Sequence, residues 1–310
     1  MKTSLLNLIS TPIPVVNSLG LDVAVGLSAE DPIAGRRASE DYEGYLTMYD
    51  GDGILVDRLH LGTVPAERRR LFDVTALTRP RIPDGDHLAI AHRVPRRLMS
   101  AKRPDEVVDL SREDADYAMY RSLVQYSYPG GSNGSVIYET PPGFNVPRPG
   151  RPPASTLTFT SKVVVSESVD TCIALMNYSM DPAYGVRARY RYAMFGPDGG
   201  RVADASTTVS PFGVTVISLA GAVPDAACAA YRDPVDGLTW LTYVGYCRDT
   251  AIIPLILTVS RERRTVSVEH THPAQAYTIP ARPEDKHQVK AAALAAWAHR
   301  LDHETLHAAP

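Results

Sequence analysis

Cysteine is scarce in this 310-residue chain: there are three, an odd number, and no CxxC pair. That excludes a disulfide framework and a cysteine-based zinc site. Cys172, inside the apolar run CIALMNY, reads as a buried small hydrophobe. Cys228 and Cys247, 19 residues apart, are the two that could meet. Long apolar runs are missing too. The longest, Ala251 to Val259, has strand length and contains Pro254, so none reaches the roughly 18–20 residues of a membrane-spanning helix. An excess of one charge sign is also absent. Lys+Arg is 32 against Asp+Glu 35, a net charge of −3, which argues against a general nucleic-acid binder. The opening MKTSLLNLISTPIP has a short apolar piece broken by Pro12 and Pro14. It lacks the long apolar core and cleavage site of a secretory leader, and a cytoplasmic protein is expected. No GxGxxG or P-loop pattern occurs, so those cofactor and phosphate chemistries have no motif to stand on. Gly130–Gly134 has GxSxG spacing but reads as a flexible loop, and His303–His307 has HExxH spacing but reads as a solvated helix end.

What the chain has is strand signal. Leu21–Leu27, Tyr45–Tyr49, Ile54–Leu61 and His87–Val94 alternate apolar and polar residues between Gly, Pro, Asp and Ser clusters. Asp50-Gly51-Asp52-Gly53 supplies the left-handed positions of a tight hairpin; the residues that would complete a calcium loop do not follow it. Ser111 with Arg112, Glu113 and Asp114 predicts a helix over about 111–125. Residues 129–153 then carry seven Pro and five Gly and read as a linker or long loop, with strand character only at Val136–Glu139. Strands resume at Thr156–Val165, Thr171–Tyr178, Val186–Phe195, Val214–Leu219, Trp240–Tyr246, Ile252–Val259 and Thr265–His272. A closing helix is predicted from Pro283 to His307, with Glu284 and Asp285 in its first turn.

The two halves resemble each other. At a constant spacing of 146 residues, Met48 meets Met194, Tyr49 meets Phe195, and Asp52-Gly53 meets Asp198-Gly199. Val56 then meets Val202, Pro65 meets Pro211 and Leu71 meets Ile217. After an insertion, Leu88, Ile90, His92 and Pro95 line up with Val266, Val268, His270 and Pro273. The expected fold is mainly β: two tandem antiparallel β-sandwich domains, Ig-like or jelly-roll-like, arising from internal duplication. The division is 1–128 (first sandwich plus interdomain helix), 129–153 (linker) and 154–310 (second sandwich plus C-terminal helix).

Several residue groups could carry chemistry. His270 and His272, two apart on a strand, share a face and could bind one divalent metal such as zinc. His92 occupies the aligned place in the first half, so the three could line a pocket as ligands or general bases. The plainer alternative is an imidazole that fastens the strand end by a hydrogen bond. His299, His303 and His307 fall roughly on one face of the last helix and read as solvated. Arg187, Arg189 and Arg191 form a stripe that could meet an anionic ligand, or simply face water. Tyr is 16 against Phe 5, and Tyr126, Tyr128 and Tyr138 near the Pro/Gly-rich stretch suit an interface or shallow ligand site. The leading expectation is a non-catalytic binding or assembly protein. It would recognise a small molecule or protein through an interdomain cleft or Tyr-rich loops, and could be a homodimer. The alternative is an enzyme, with or without metal, built on His92, His270 and His272.

Overall fold

The computed structural model describes residues 2–28, 30–31, 36–37, 40–66, 68–99, 103–109, 122–138, 143–147, 154–270, and Ala292, Ala295 and Ala296. In chain order the strands of the first half are β1 (Lys2–Ser4), β2 (Ser10–Val15), β3 (Asp22–Leu27), β4 (Glu30–Asp31), β5 (Arg36–Arg37), β6 (Tyr42–Tyr49), β7 (Leu55–Val64), β8 (Arg70–Asp73), β9 (His87–Pro95), β10 (Val107–Asp109), β11 (Ser122–Ser127) and β12 (Asn133–Tyr138). Those of the second half are β13 (Thr156–Val165), β14 (Val169–Met176), β15 (Ala188–Phe195), β16 (Arg201–Val209), β17 (Val214–Ser218), β18 (Thr239–Cys247), β19 (Ile253–Ser260) and β20 (Val266–His270).

Sixteen of these strands build four antiparallel sheets. Sheet 1 runs β2-β9-β6-β7, sheet 2 β12-β11-β3-β8, sheet 3 β13-β18-β15-β16 and sheet 4 β17-β14-β19-β20. The pairs β1-β10 and β4-β5 are minor ribbons. Setting the ribbons aside, both halves have one connectivity: first, sixth, third and fourth strands form one sheet; eighth, seventh, second and fifth form the other. The likeness reaches detail. β6 and β15 begin and end 146 residues apart. Both hairpins bulge after the equivalent residues Met48 and Met194. Both turns close with the same two bonds, Asp50 N–H to Ile54 C=O (3.0 Å) and Gly53 N–H to Asp50 C=O (3.0 Å) in one, and Gly196 to Gly200 (2.8 Å) and Gly199 to Gly196 (3.0 Å) in the other.

Two alignments do not hold. Leu71 faces outward opposite Gly26, whereas Ile217 faces the second core opposite Ile173; the match of His92 with His270 is the other. β9 takes the place of β18, since both lie between the first and third strands of their sheets. β20 takes the place of β12, at the outer edge. His92 sits opposite Tyr45 and Tyr246 sits opposite Arg191. Tyr45 and Arg191 are again 146 apart, so Tyr246, not His270, is the counterpart of His92. The helix expected over 111–125 is also corrected in part: Ser122–Ser127 is the strand β11, and residues 111–121 lie outside the described residues. Within the Pro/Gly-rich stretch, Asn133–Tyr138 forms the edge strand β12. Of the C-terminal helix only Ala292, Ala295 and Ala296 are described, and these are helical.

Burial follows the two-residue period of a strand. In the first sandwich, Ile13, Val15, Leu46, Ala89 and Ala91 of sheet 1 meet Val23, Val25, Val124 and Tyr126 of sheet 2. The contact is marked by Thr11 Oγ1–H to Ser122 Oγ (2.8 Å) and Tyr126 O–H to the Pro14 carbonyl (3.0 Å). In the second, Val163, Tyr190, Met194 and Tyr243 of sheet 3 meet Ile173, Leu175, Ile217 and Ile256 of sheet 4. Sheet 4 is buried on its other face as well. Cys172, Ala174, Met176, Leu255 and Leu257 belong to the same cluster as the first sandwich's core. A strand buried on both faces needs a continuous apolar run rather than alternation, which is why CIALM and IIPLIL read as they do.

Polar bonds fasten this join. Ser10 Oγ and Tyr178 OH share a hydrogen bond at 2.6 Å, and Thr3 Oγ1–H and Asn7 Nδ2–H both reach the Met180 carbonyl, at 2.5 and 3.0 Å. Ser132 N–H donates to the Arg264 carbonyl at 2.8 Å. Tyr49 stacks on Phe212, ring centroids 4.8 Å apart. The three cysteines are free thiols, two of them buried.

Candidate functional site

Among the sequence-predicted residues, His92 is the one whose surroundings are fully drawn. It projects from the middle strand of sheet 1 and is 2% exposed. Its Nδ1 lies 2.9 Å from the Leu6 carbonyl and its Nε2 2.9 Å from Thr47 Oγ1. A carbonyl can only accept, so Nδ1 carries the proton; neutral Nε2 then accepts from the Thr47 hydroxyl. Both ring nitrogens are committed to protein partners. Burial, and secondarily the Arg58 charge, hold the ring's pKa down to about 3. This imidazole is neutral near pH 7 and ties the Leu5–Leu8 turn to sheet 1.

His270 ends β20 opposite Leu255 in backbone register. His272, His299, His303 and His307 lie outside the described residues. No group of three or more His, Cys, Asp or Glu residues able to hold a metal occurs among the described residues. Tyr126 and Tyr128 are interior: Tyr126 is fully buried and bonded to Pro14, and Tyr128 is 3% exposed. The backbone of Tyr138 pairs with Ser122. Arg187 and Arg189 are exposed and Arg191 half-buried. Arg189 stands opposite Thr208, and Arg191 opposite Ser206 and Tyr246, so their direct cross-strand neighbours are hydroxyls rather than acids. Arg248 lies 5.9 Å from the Tyr246 ring centroid, which adds a fourth arginine to this outer face of sheet 3.

The structure draws attention to residues that sequence reasoning passed over. His87 is fully buried at the start of β9. Its Nδ1 is 3.3 Å from the Gly85 carbonyl, its Nε2 has no partner, and burial lowers its pKa. Among the described residues Arg93 is the bulkiest fully buried side chain, and its guanidinium donates to the Ser28 carbonyl. Behind the join, Tyr184 O–H donates to Asn177 Oδ1 (2.7 Å) and lies 2.6 Å from Thr250 Oγ1. Burial pushes its pKa up to about 12. Nothing local in the sequence marks these positions; only the pairing of distant strands makes them interior.

The outer face of sheet 2 carries an apolar row. Leu71, Gly26, Leu123 and Ile137 are directly paired across four strands. Leu71 is 62% and Ile137 52% exposed. The Arg69 side chain lies over Gly26, where an added Cβ would meet its Cδ at 3.3 Å. Arg68, Arg69 and Arg70 are all exposed, but Arg70 turns away from the row to the Leu61 and Thr63 carbonyls.

No protein-family model matches this sequence, and no curated protein does. Some solved structures show a weak likeness. A glycosyl hydrolase family 2 member from Bacteroides cellulosilyticus is 9% identical, with 85% of this chain and 26% of that chain covered at a TM-score of 0.17. A beta-glucuronidase from glycoside hydrolase family 2 is 11% identical, with 84% and 23% covered at 0.16. Beta-D-glucuronidase of Dictyoglomus thermophilum is 9% identical, with 85% and 35% covered at 0.15. The chain thus spans about a quarter to a third of those proteins' length, and scores of this size carry no argument about activity.

Proposed function

We propose that the protein is a cytoplasmic, non-catalytic binding or assembly module that recognises a protein partner through the outer face of sheet 2. The carrying observation is the paired row Leu71, Gly26, Leu123 and Ile137, with two large apolar side chains more than half exposed and the Arg69 side chain lying over Gly26. An exposed apolar patch rimmed by charge on a flat sheet favours a protein over a small molecule, which needs a hollow. The complementary partner carries an apolar strip edged by acidic groups, and a second copy of this chain is one protein to be tried. The buried chemistry supports the non-catalytic part: His92 spends both nitrogens on Leu6 and Thr47. No described geometry favours the enzymatic alternative on His92, His270 and His272.

The test is an affinity. A protein that co-purifies with the chain is identified, purified and titrated against wild type and Leu71→Asp/Ile137→Asp, with self-association followed by sedimentation. The expected result is at least a tenfold weaker complex for the variant, about 1.4 kcal/mol. Equal affinities sink the assignment of this face. A turnover that His92→Gln abolishes would sink the non-catalytic reading.

A further inference from the structure

The central part of the outer face of sheet 3 is covered although it belongs to neither core, while Phe159 and Trp240 on the same face are 44% exposed. Leu157, Val164, Ala193, Phe195, Val244 and Tyr246 point away from the second sandwich's interior, as their alternation with Val163, Met194 and Tyr243 requires. An outward apolar face in water would be exposed. Instead these six are 0–8% exposed, and neither hydrophobic cluster contains any of them.

We propose that the C-terminal segment 283–307 docks on this face as an amphipathic helix. Ala292, Ala295 and Ala296 are helical and exposed. Their spacing of three and four marks one side of a helix. At about 100° per residue, Leu294, Trp297 and Leu301 fall on the opposite side, together forming an apolar stripe. His299, His303 and His307 fall on the side of the exposed alanines. Glu304 borders the stripe, and the sheet face carries Arg189, Arg191 and Arg248. The lengths agree as well. A helix of residues 283–307 is about 37 Å long, against strands of roughly 26–33 Å in sheet 3. The connection 271–282 reaches at most about 40 Å, enough to pass from β20 in sheet 4 to the far side of the adjoining sheet 3, about 10 Å away.

The experiment uses the full chain and hydrogen exchange read peptide by peptide. Leu294→Asp/Trp297→Asp is expected to speed exchange in β15 and β18 at least tenfold while leaving β3 and β11 unchanged. Ala292→Asp/Ala295→Asp, on the exposed side, leaves all four unchanged. The proposal fails if both helix faces respond alike, or if β15 and β18 do not respond to the first variant. It also fails if wild-type protection of β18 rises with protein concentration, because a second copy would then be the cover. A gentler measurement covers the case in which the double variant does not fold. The chain has two tryptophans, so Trp240→Phe leaves Trp297 as the only one. Blue-shifted emission resistant to acrylamide is expected; emission typical of water-exposed indole overturns the proposal.

Discussion

At the scale of single residues, the interior sets the protonation states. His92 is the clearest case: a neutral ring with a donor and an acceptor, each met within 2.9 Å. Its pKa falls from an ordinary 6.5 to about 3 on folding. Between those values the unfolded chain binds a proton that the folded chain refuses, so stability rises with pH across that window. The contribution is complete above about 6.5 and is lost progressively as pH falls towards 3. The slope is about 1.4 kcal/mol per pH unit. Wild type should therefore lose about 2 kcal/mol more than His92→Gln between pH 6.5 and 5. Urea midpoints at the two pH values check this, and parallel losses in both proteins would show that His92 titrates normally in the fold. At a site of this kind the two plausible roles of a histidine differ only in what lies across the fold from it. The sequence shows His92 on an apolar strand; Leu6, 86 residues away, decides its role.

At the scale of elements, the duplicated hairpins provide an internal control. Gly53 and Gly199 hold equivalent turn positions with φ of +83° and +80°. Either glycine replaced by alanine would carry the left-handed penalty of about 1–2 kcal/mol. Only Gly53 abuts the other unit: a Cβ there would lie 1.8 Å from the Pro211 carbonyl oxygen, whereas Gly199 has nothing within 4 Å. Gly199→Ala should therefore cost about 1–2 kcal/mol and Gly53→Ala at least about 3 kcal/mol, since the join must also open. Chemical denaturation of the two variants checks the ranking, and equal costs would mean that the turns do not touch as described. These hairpins are also where the sequence was most legible. Asp-Gly turns and strict alternation are local signals, and they placed both halves in the right register over β6–β7 and β15–β16. Alternation alone could not distinguish β9 from β20, because any half-buried strand shows it. The matching of His92 with His270 failed for that reason. The helix expected over 111–125 likewise yielded at β11, where pairing on both sides with β3 and β12 outweighs local propensity. Edges follow a different logic. Pro12 and Pro14, two apart on the edge strand β2, lack N–H groups on the same side, so that side cannot add a strand. On the other edge of sheet 1, Arg70 covers the Leu61 and Thr63 carbonyls of β7.

At the scale of the whole molecule, the shared core decides how the chain unfolds. A tandem repeat joined by a loose linker would melt as two independent units. Here the face of sheet 4 bearing Cys172, Ala174, Met176, Leu255 and Leu257 belongs to the first sandwich's hydrophobic cluster. Separating the units would expose that face, along with the Ser10–Tyr178 and Ser132–Arg264 bonds. At roughly 25 cal/mol per Å² of apolar surface, even a few hundred Å² amounts to several kcal/mol of coupling, comparable with the whole stability of a domain. The chain should therefore unfold in one transition, with probes in sheets 2 and 3 giving the same midpoint. A truncated chain of residues 154–310 should be poorly soluble, because its sheet 4 would present two apolar faces and only one sandwich core to fill. Ser10→Ala/Tyr178→Phe removes the polar bond and keeps the packing, so it should lower stability by about 1 kcal/mol without splitting the transition. Calorimetry that resolves two transitions in the wild type would reverse this argument: the join would then be a contact between independent domains, and the continuous apolar runs of β14 and β19 would need another cause.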